Sequence, residues 1–244
     1  FVSPEGVLQL SIHALLVEAP GLRLLVDTCI GNDKPRKITG NESLHTEFLQ
    51  YLKATGCPRE TIDIVVCTHL HVDHCGWNTR LVDGRWVPTF PNAKYIFSRR
   101  EYAFWEAEND RGADPPRPIW RDSCQPVVEA GQALLVEDDW ELEDGIWLTP
   151  TPGHSPGHIC VNVRSQGRRA IFTGDLMHHA LQCVEPDWST CFCADPEMAA
   201  RSRRGVLEDV ADTDTVVVPT HFPGPTAGRV VASDDAWRFR FLED

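Results

Sequence analysis

Short apolar runs in this chain repeatedly end at a tight polar turn that carries histidine or aspartate. Ile62 to Thr68 runs into Thr68-His69-Leu70-His71-Val72-Asp73-His74. Ala170-Ile171-Phe172 leads into Thr173-Gly174-Asp175, and Val216-Val217-Val218 into Pro219-Thr220-His221. Thr151-Pro152-Gly153-His154-Ser155-Pro156-Gly157-His158 sets His154 between two Pro-Gly turns, which stiffen a loop and let it approach closely. β-Branched runs of this length read as buried strands. Strand ends let side chains converge on one point while the sheet holds the backbone still. Imidazole and carboxylate are ligands for zinc and similar borderline metals. On an extended segment His69, His71 and Asp73 point one way, whereas Asp73 and His74 diverge. One ion cannot readily take all four; two neighbouring ions can.

The rest of the chain supports a sheet-based α/β architecture. Leu8 to Glu18 and Leu22 to Val26 read as a hairpin that ends at Asp27-Thr28. Glu42 to Ala54 carries apolar residues at helical spacing, closed by Gly56 and Pro58. Lys94 to Phe97 reads as a strand, Ser98 to Glu108 as a helix, and 109–118, rich in proline, as a lid or a long surface loop. Short strands follow from Ala133 to Phe172, then a helix over Glu197 to Val210, a buried strand at Thr215 to Val218, and a closing hairpin over Val230 to Phe241. Strands and helices joined by short connections predict layers packed on a mixed sheet. With no repeat, low-complexity tract or linker, residues 1–244 read as a single domain.

Composition narrows the partners. The 244 residues carry Lys+Arg 23 against Asp+Glu 36, a net charge of −13. Such a surface repels phosphate backbones and anionic lipid, so neither nucleic acid nor membrane is expected as a partner, and no apolar run approaches the roughly 20 residues of a bilayer span. A small-molecule substrate and a homodimer remain compatible. The nine cysteines are an odd number, irregularly spaced, and several lie in apolar runs such as Ile159-Cys160-Val161. They read as free thiols that pack as small hydrophobes, which points to a reducing compartment, the cytoplasm. Cys191-Phe192-Cys193 lacks the second pair that a zinc ribbon needs. The sequence opens on Phe1 rather than Met, so the expectation is an incomplete N-terminus, with room for a cleaved targeting segment before it.

Taken together, His69, His71, Asp73 and His74 in the pattern HxHxDH, followed in order by His154, Asp175 and His221, resemble the metallo-β-lactamase-fold hydrolase superfamily. The resemblance covers nearly the whole chain and includes Val26-Asp27-Thr28, similar to the family's early strand-end aspartate. It implies an αββα sandwich, two mixed sheets packed face to face with helices outside. It also implies two divalent ions, zinc first and manganese or iron as substitutes. His69, His71 and His154 would bind one, Asp73, His74 and His221 the other, and Asp175 would bridge them. Asp27 would hold the ligand loop through hydrogen bonds, and His158 would support the site without ligating. His13 and His45 read as ordinary residues. Two such ions about 3.5–4 Å apart bring a shared water from a pKa of ~15.7 to near neutrality, so the implied reaction is attack of a bridging hydroxide on a carbonyl or phosphoryl centre, with Asp73 and Asp175 at the reacting atoms.

Within the superfamily, the 23 residues after His221 are too few for the helical C-terminal domain of the glutathione thioesterases. The acidic charge opposes the nucleic-acid-processing branches, and a bridging Asp175 opposes strong β-lactamase activity. The chain looks most like the methyl-parathion-hydrolase-like and lactonase-like members. Gly174-Asp175-Leu176-Met177-His178-His179 resembles the former, where a histidine follows the bridging aspartate by three; quorum-signal lactonases usually place a tyrosine there. His178 is thus a candidate catalytic residue, a proton donor to the leaving group or a wall of the pocket. Aromatic residues in segments bordering the ligands, among them Trp77, Trp105, Trp188 and Phe192, suit an apolar pocket as well as a core. The expected activity is hydrolysis of a neutral lactone, ester or phosphotriester. The alternatives are an iron-dependent oxygenase of the same fold, or a hydrolase with weak β-lactamase activity.

Overall fold

Parallel pairing brings strand ends together twice in the chain, once in each of two units. The computed structural model describes residues 2–110 and 118–242. One unit is made of residues 13–136, and the other of residues 137–244 together with 1–12. Most of the proline-rich stretch read as a lid or loop lies outside the described residues.

In the first unit, β1 (Leu15–Ala19) and β2 (Leu22–Val26) form the expected hairpin, but it starts at Leu15 rather than Leu8. Leu8 and Leu10 are exposed and do not belong to a strand. The first helix, α1 (Phe48–Ala54), also starts later than the periodicity suggests. Asn32 Oδ1 accepts from Thr46 N–H at 2.8 Å while Asn32 Nδ2 donates to Thr46 O at 2.9 Å, and this two-way clamp holds the preceding residues as loop. There follow β3 (Ile64–Val66), the hairpin of β4 (Thr79–Val82) and β5 (Arg85–Pro88), β6 (Lys94–Ser98), α2 (Arg99–Asp110), a π-helical turn at Trp120–Cys124, α3 (Gln125–Glu129) and β7 (Ala133–Val136). The β4–β5 hairpin escaped the sequence reading, although Asp83-Gly84, both at positive φ (48° and 76°), is a strong two-residue turn signal.

The sheet runs β1-β2-β3-β6-β7, with β2, β3, β6 and β7 parallel. Interior parallel strands are covered on both faces, so they read as unbroken apolar runs such as Leu24-Leu25-Val26 and Ile64-Val65-Val66. Their core gathers Leu25, Val65, Phe90, Tyr95, Phe97, Trp105 and Trp120. The register pairs Val26 with Val66. Asp27 therefore leaves its strand beside Cys67 and Thr68, at the head of the histidine motif.

The second unit carries β8 (Glu141–Glu143), β9 (Ile146–Pro150), β10 (Ile159–Ser165), β11 (Arg168–Phe172), α4 (Leu181–Val184), α5 (Pro196–Val210), β12 (Val216–Val218), β13 (Gly228–Ser233) and β14 (Ala236–Phe241). These strands form one sheet in the order β14-β13-β12-β11-β10-β9-β8. Only β11 and β12 pair in parallel, Phe172 opposite Val218, so the turns that carry Asp175 and His221 emerge side by side. Antiparallel β10 starts at that same end, with Ile159 opposite Pro150 and Val161 opposite Phe172, which brings the loop of His154 there too. Helix α5 opens on an N-cap in which Asp195 accepts from Met198 N–H at 2.9 Å, with Pro196 at its first position. Its buried face presents Ala199, Ala200, Val206, Leu207 and Val210, and also Arg203. Each unit thus holds a mixed sheet with helices, as the α/β expectation requires.

Candidate metal centre

In the first unit the four residues of the histidine motif are gathered after β3. The ring of His69 lies 4.4 Å from that of His71 and 4.1 Å from that of His74, centroid to centroid, and His74 Nε2 is 3.7 Å from Asp73 Oδ1. His69 and His74 are fully buried. Asp27 organises them. Its carboxylate accepts from Thr68 N–H at 2.8 Å, from the Thr68 hydroxyl at 2.9 Å, and from His74 Nδ1 at 2.8 Å. A carboxylate can only accept here, so the proton of His74 sits on Nδ1 and its lone pair on Nε2. Thr68 donates its hydroxyl proton to Asp27, so its oxygen is left to accept from His69 Nδ1, 3.2 Å away, and the same tautomer follows.

A second support comes from a residue that sequence reasoning missed. Glu101, buried at the start of α2, accepts from Leu70 N–H at 3.1 Å and from the Trp105 indole at 2.7 Å. The Trp105 ring in turn meets His71 edge-on, with centroids 5.5 Å apart. Ser98-Arg99-Arg100-Glu101 has the spacing of a helix capping box, and Ser98 Oγ does accept from Glu101 N–H. The further reach of the carboxylate into the histidine loop is visible only in three dimensions.

We expect Asp27→Asn to weaken metal binding by about 10–100-fold, the usual cost of losing an outer hydrogen bond to a ligand. The new amide can still accept from Thr68. Where its nitrogen faces His74 Nδ1, however, it drives the ring proton to Nε2, the atom that would ligate an ion. Titration against a chromophoric chelator measures the change; unaltered affinity in folded protein would contradict this account of Asp27.

In the second unit three imidazoles surround one carboxylate. Asp175 Oδ2 lies 3.1 Å from His154 Nε2 and 3.2 Å from His178 Nε2, and Asp175 Oδ1 lies 2.9 Å from His221 Nε2. His221 Nδ1 donates to Ser11 O at 2.7 Å, and Ser11 N–H donates back to His221 O at 2.9 Å, so this ring too carries its lone pair on Nε2. His154 Nδ1 faces the sulfur of Cys193 at 3.7 Å. Donors of this kind at these separations fit a divalent cation: nitrogen lone pairs and carboxylate oxygens, buried, with outer partners that fix the tautomers. Burial by itself would lower the His154 pKa, but the adjacent Asp175 carboxylate raises it to about 9. Near neutral pH a metal taken up at this ring would therefore displace its proton.

His158 braces the backbone of Asp175. Its Nε2 accepts from Asp175 N–H at 3.0 Å, so Nδ1 holds the proton and donates to Thr151 Oγ1 at 2.8 Å. Arg203 is another support that was missed. Fully buried, it donates through Nε to Leu176 O at 2.9 Å and through Nη1 to Pro186 O, bracing the segment after Asp175 from both sides. Its signal was a charge placed on the apolar stripe Ala199, Arg203, Val206, Val210. His45 is exposed, consistent with an ordinary residue. Trp77, Trp105, Trp120 and Phe222 are buried, whereas Trp188 and Phe192 are exposed in the segment that follows His178.

All nine cysteines are free. Burial pushes Cys160 and Cys183 up to about 12, so these thiols are unreactive packing groups, as read from the sequence. Among the described residues no helix is long and apolar enough to cross a membrane.

Comparison with known proteins agrees with this chemistry. The profile of the metallo-β-lactamase superfamily matches residues 8–221. The N-acyl homoserine lactonase of Bacillus cereus is 27% identical over 181 residues, 68% of this chain; the match spans 63% of that protein, less than two thirds of its length. The N-acyl homoserine lactonase of Bacillus thuringiensis is 26% identical over 237 residues, 90% of this chain and 84% of that one. Among solved structures, the hydrolase AbOPH of the β-lactamase superfamily superimposes with a TM-score of 0.83 at 25% identity, covering 99% of this chain and 82% of that one. AidC, a dizinc quorum-quenching lactonase, shares the fold with a TM-score of 0.77 at 23% identity, covering 96% of this chain and 80% of its own. These relatives are named as hydrolases, the class implied by the motif. The chain belongs to the metallo-β-lactamase superfamily.

Proposed function

We propose that this chain is a dinuclear metal-dependent hydrolase of neutral, fairly apolar lactones or esters. His69, His71 and His154 would hold one ion, Asp73, His74 and His221 the other, with Asp175 between them. The observation that carries this is the placement of Asp175. It turns one carboxylate oxygen toward His154 and the other toward His221, the two histidines assigned to different ions. A carboxylate so placed could serve two cations at once. Zinc is the favoured metal on ligand type, with manganese or iron able to take the same donors.

When bound, such a pair of ions supplies an activated water near neutral pH and an electrophile for the substrate's carbonyl oxygen. The chain's own residues do the rest. Asp27 and Thr68 fix the tautomers of His74 and His69, and Glu101 fixes the loop between them. His158 holds the backbone of Asp175, so the carboxylate keeps its aim while charge develops beside it. Asp73, Asp175 and His178 are the catalytic candidates, with Asp175 able to accept or relay a proton. Exposed Phe192, its ring 6.4 Å from that of His178, offers apolar surface to a substrate arm. The net charge of −13 disfavours anionic substrates over neutral ones. The lactonase relatives favour lactones among the neutral candidates.

Metal-loaded protein assayed against lactones, aryl esters, phosphotriesters and β-lactams tests the proposal. Turnover of lactones or esters is expected, abolished by chelation and restored by zinc or manganese, with β-lactams poor or inert. Chelation should also lower Tm by about 2–12 °C, the effect of roughly 1–3 kcal/mol on a domain of this size. Absence of hydrolysis in protein shown to hold two ions, together with dioxygen consumption when loaded with iron, would replace the hydrolase by an oxygenase.

A further inference from the structure

His178 is buried, at 4% exposure, yet neither of its ring nitrogens has a hydrogen-bond partner. Its Nε2 lies 3.2 Å from Asp175 Oδ2, close enough for a hydrogen bond, so it is the direction that fails. The ring is nonetheless held in place. His178 N–H donates to Gln182 Oε1 at 2.7 Å, and buried Gln182 donates through Nε2 to Trp188 O at 2.7 Å. The imidazole lies parallel to that of His221, at 10° between planes and 5.2 Å between centroids. One donor atom each from Asp175, His178 and His221 lie within 4.8 Å of one another.

We propose that His178 is itself a metal donor, an eighth ligand beside His221 and Asp175. This rests on the dinuclear proposal above and adds to its ligand set. A hydrogen bond needs the ring proton aimed at the acceptor, whereas co-ligation needs both atoms to face a third point. Two donors on one tetrahedral zinc, each about 2.0–2.1 Å from it, stand roughly 3.3 Å apart. His221 Nε2 stands 2.9 Å from Asp175 Oδ1 and His178 Nε2 3.2 Å from Asp175 Oδ2, both near that value, so His178 stacks on His221 while it faces the carboxylate oxygen that it shares with His154. A cation would also satisfy the ring nitrogen that no hydrogen bond satisfies. His221 has the Ser11 carbonyl on its Nδ1. His178 has no such outer bond, so it is the weaker donor of the two.

The test is cobalt(II) titration of metal-free wild type, His178→Ala, His178→Phe and His221→Ala, read by stoichiometry, affinity and visible absorption, with Tm as a check on folding. His178→Phe keeps a ring in the stack but removes both nitrogens, so a result survives if the alanine variant fails to fold. Wild type should bind two ions. Both His178 variants should bind the weaker ion about 10–100-fold less tightly and show altered cobalt d–d bands, with His221→Ala losing more. Unchanged affinities and bands in folded His178 variants would overturn the proposal, even if turnover fell, and would leave His178 a substrate contact. If wild type itself binds fewer than two ions, the dinuclear reading fails instead; His178 is then judged by whether its loss changes the bands of the ion that remains.

Discussion

Asp175→Asn is expected to lower kcat/KM by at least about 10³-fold, roughly 4 kcal/mol of transition-state stabilisation, while the protein stays folded. The substitution keeps the shape of the side chain and leaves the backbone N–H that donates to His158. It removes the anion facing His154 on one side and His221 on the other. An amide can offer a single oxygen, and its nitrogen would then face one of the two proposed ions as a donor. Two cations with no anion between them repel, so the second ion should also bind more weakly. A carboxylate that merely braced the loop would lose little here, because an amide bonds the same neighbours.

The metal-free protein offers an independent check. Burial pulls the His154 pKa down, and Asp175 more than offsets this, leaving it at about 9. In Asp175→Asn the larger part of the offset is gone and only that of Cys193 remains, so the His154 pKa should fall, as followed by NMR. The sign for stability follows. A histidine whose folded pKa is raised contributes stability that is full below its ordinary value of 6.5 and is lost as pH rises through about 9. Metal-free wild type should therefore weaken over that range, and metal-free Asp175→Asn should weaken less. Equal pH profiles for the two proteins would mean that the ion pair contributes nothing to the fold.

The residues proposed as ligands were legible as candidates because each follows a run whose composition already marks a strand end. His69, Asp175 and His221 need only the rule that an apolar β-branched run stops at a turn. Asp27 was legible for the same reason, since β2 ends as β3 does and pairs with it in parallel. Glu101 and Arg203 were not. A lone charge on a helix ordinarily faces solvent, and nothing local tells Glu101 that the histidine loop passes over it or Arg203 that two carbonyls await it. The late start of α1 has a similar cause. Asn32 lies well before the helix in sequence, so periodicity around residues 42–54 is blind to its clamp on Thr46. His178 is an intermediate case, because its spacing from Asp175 was readable and its missing hydrogen-bond partners were not.

Gly76→Ala is expected to destabilise the protein by more than about 3 kcal/mol, a fall of roughly 6–12 °C in Tm. A Cβ at this position would lie 1.9 Å from Ile30 O, 2.0 Å from Ile30 C and 2.6 Å from Cys29 O, all backbone atoms. Flexible side chains can swing away from such a clash, but this segment cannot. Gly76 N–H donates to Cys29 O at 2.7 Å, Trp77 N–H to Thr28 O at 2.8 Å, and Thr28 N–H to His74 O at 2.7 Å. Buried Lys34 adds a bond from Nζ to Gly76 O and another to Thr79 Oγ1 at 2.8 Å. Asp27, Cys29 and Gly31 already lie at φ of 59°, 50° and 81°, so the facing strand end has little room to deform. The same ladder carries the carbonyl of His74, so metal affinity should fall together with stability. Gly84→Ala is the control. Gly84 lies at φ 76° with nothing within 4 Å of an added Cβ, so its replacement should cost only the left-handed strain of about 1–2 kcal/mol. Denaturation of both variants separates the two effects: if Gly76→Ala loses no more than Gly84→Ala, close backbone approach is not what holds the histidine loop.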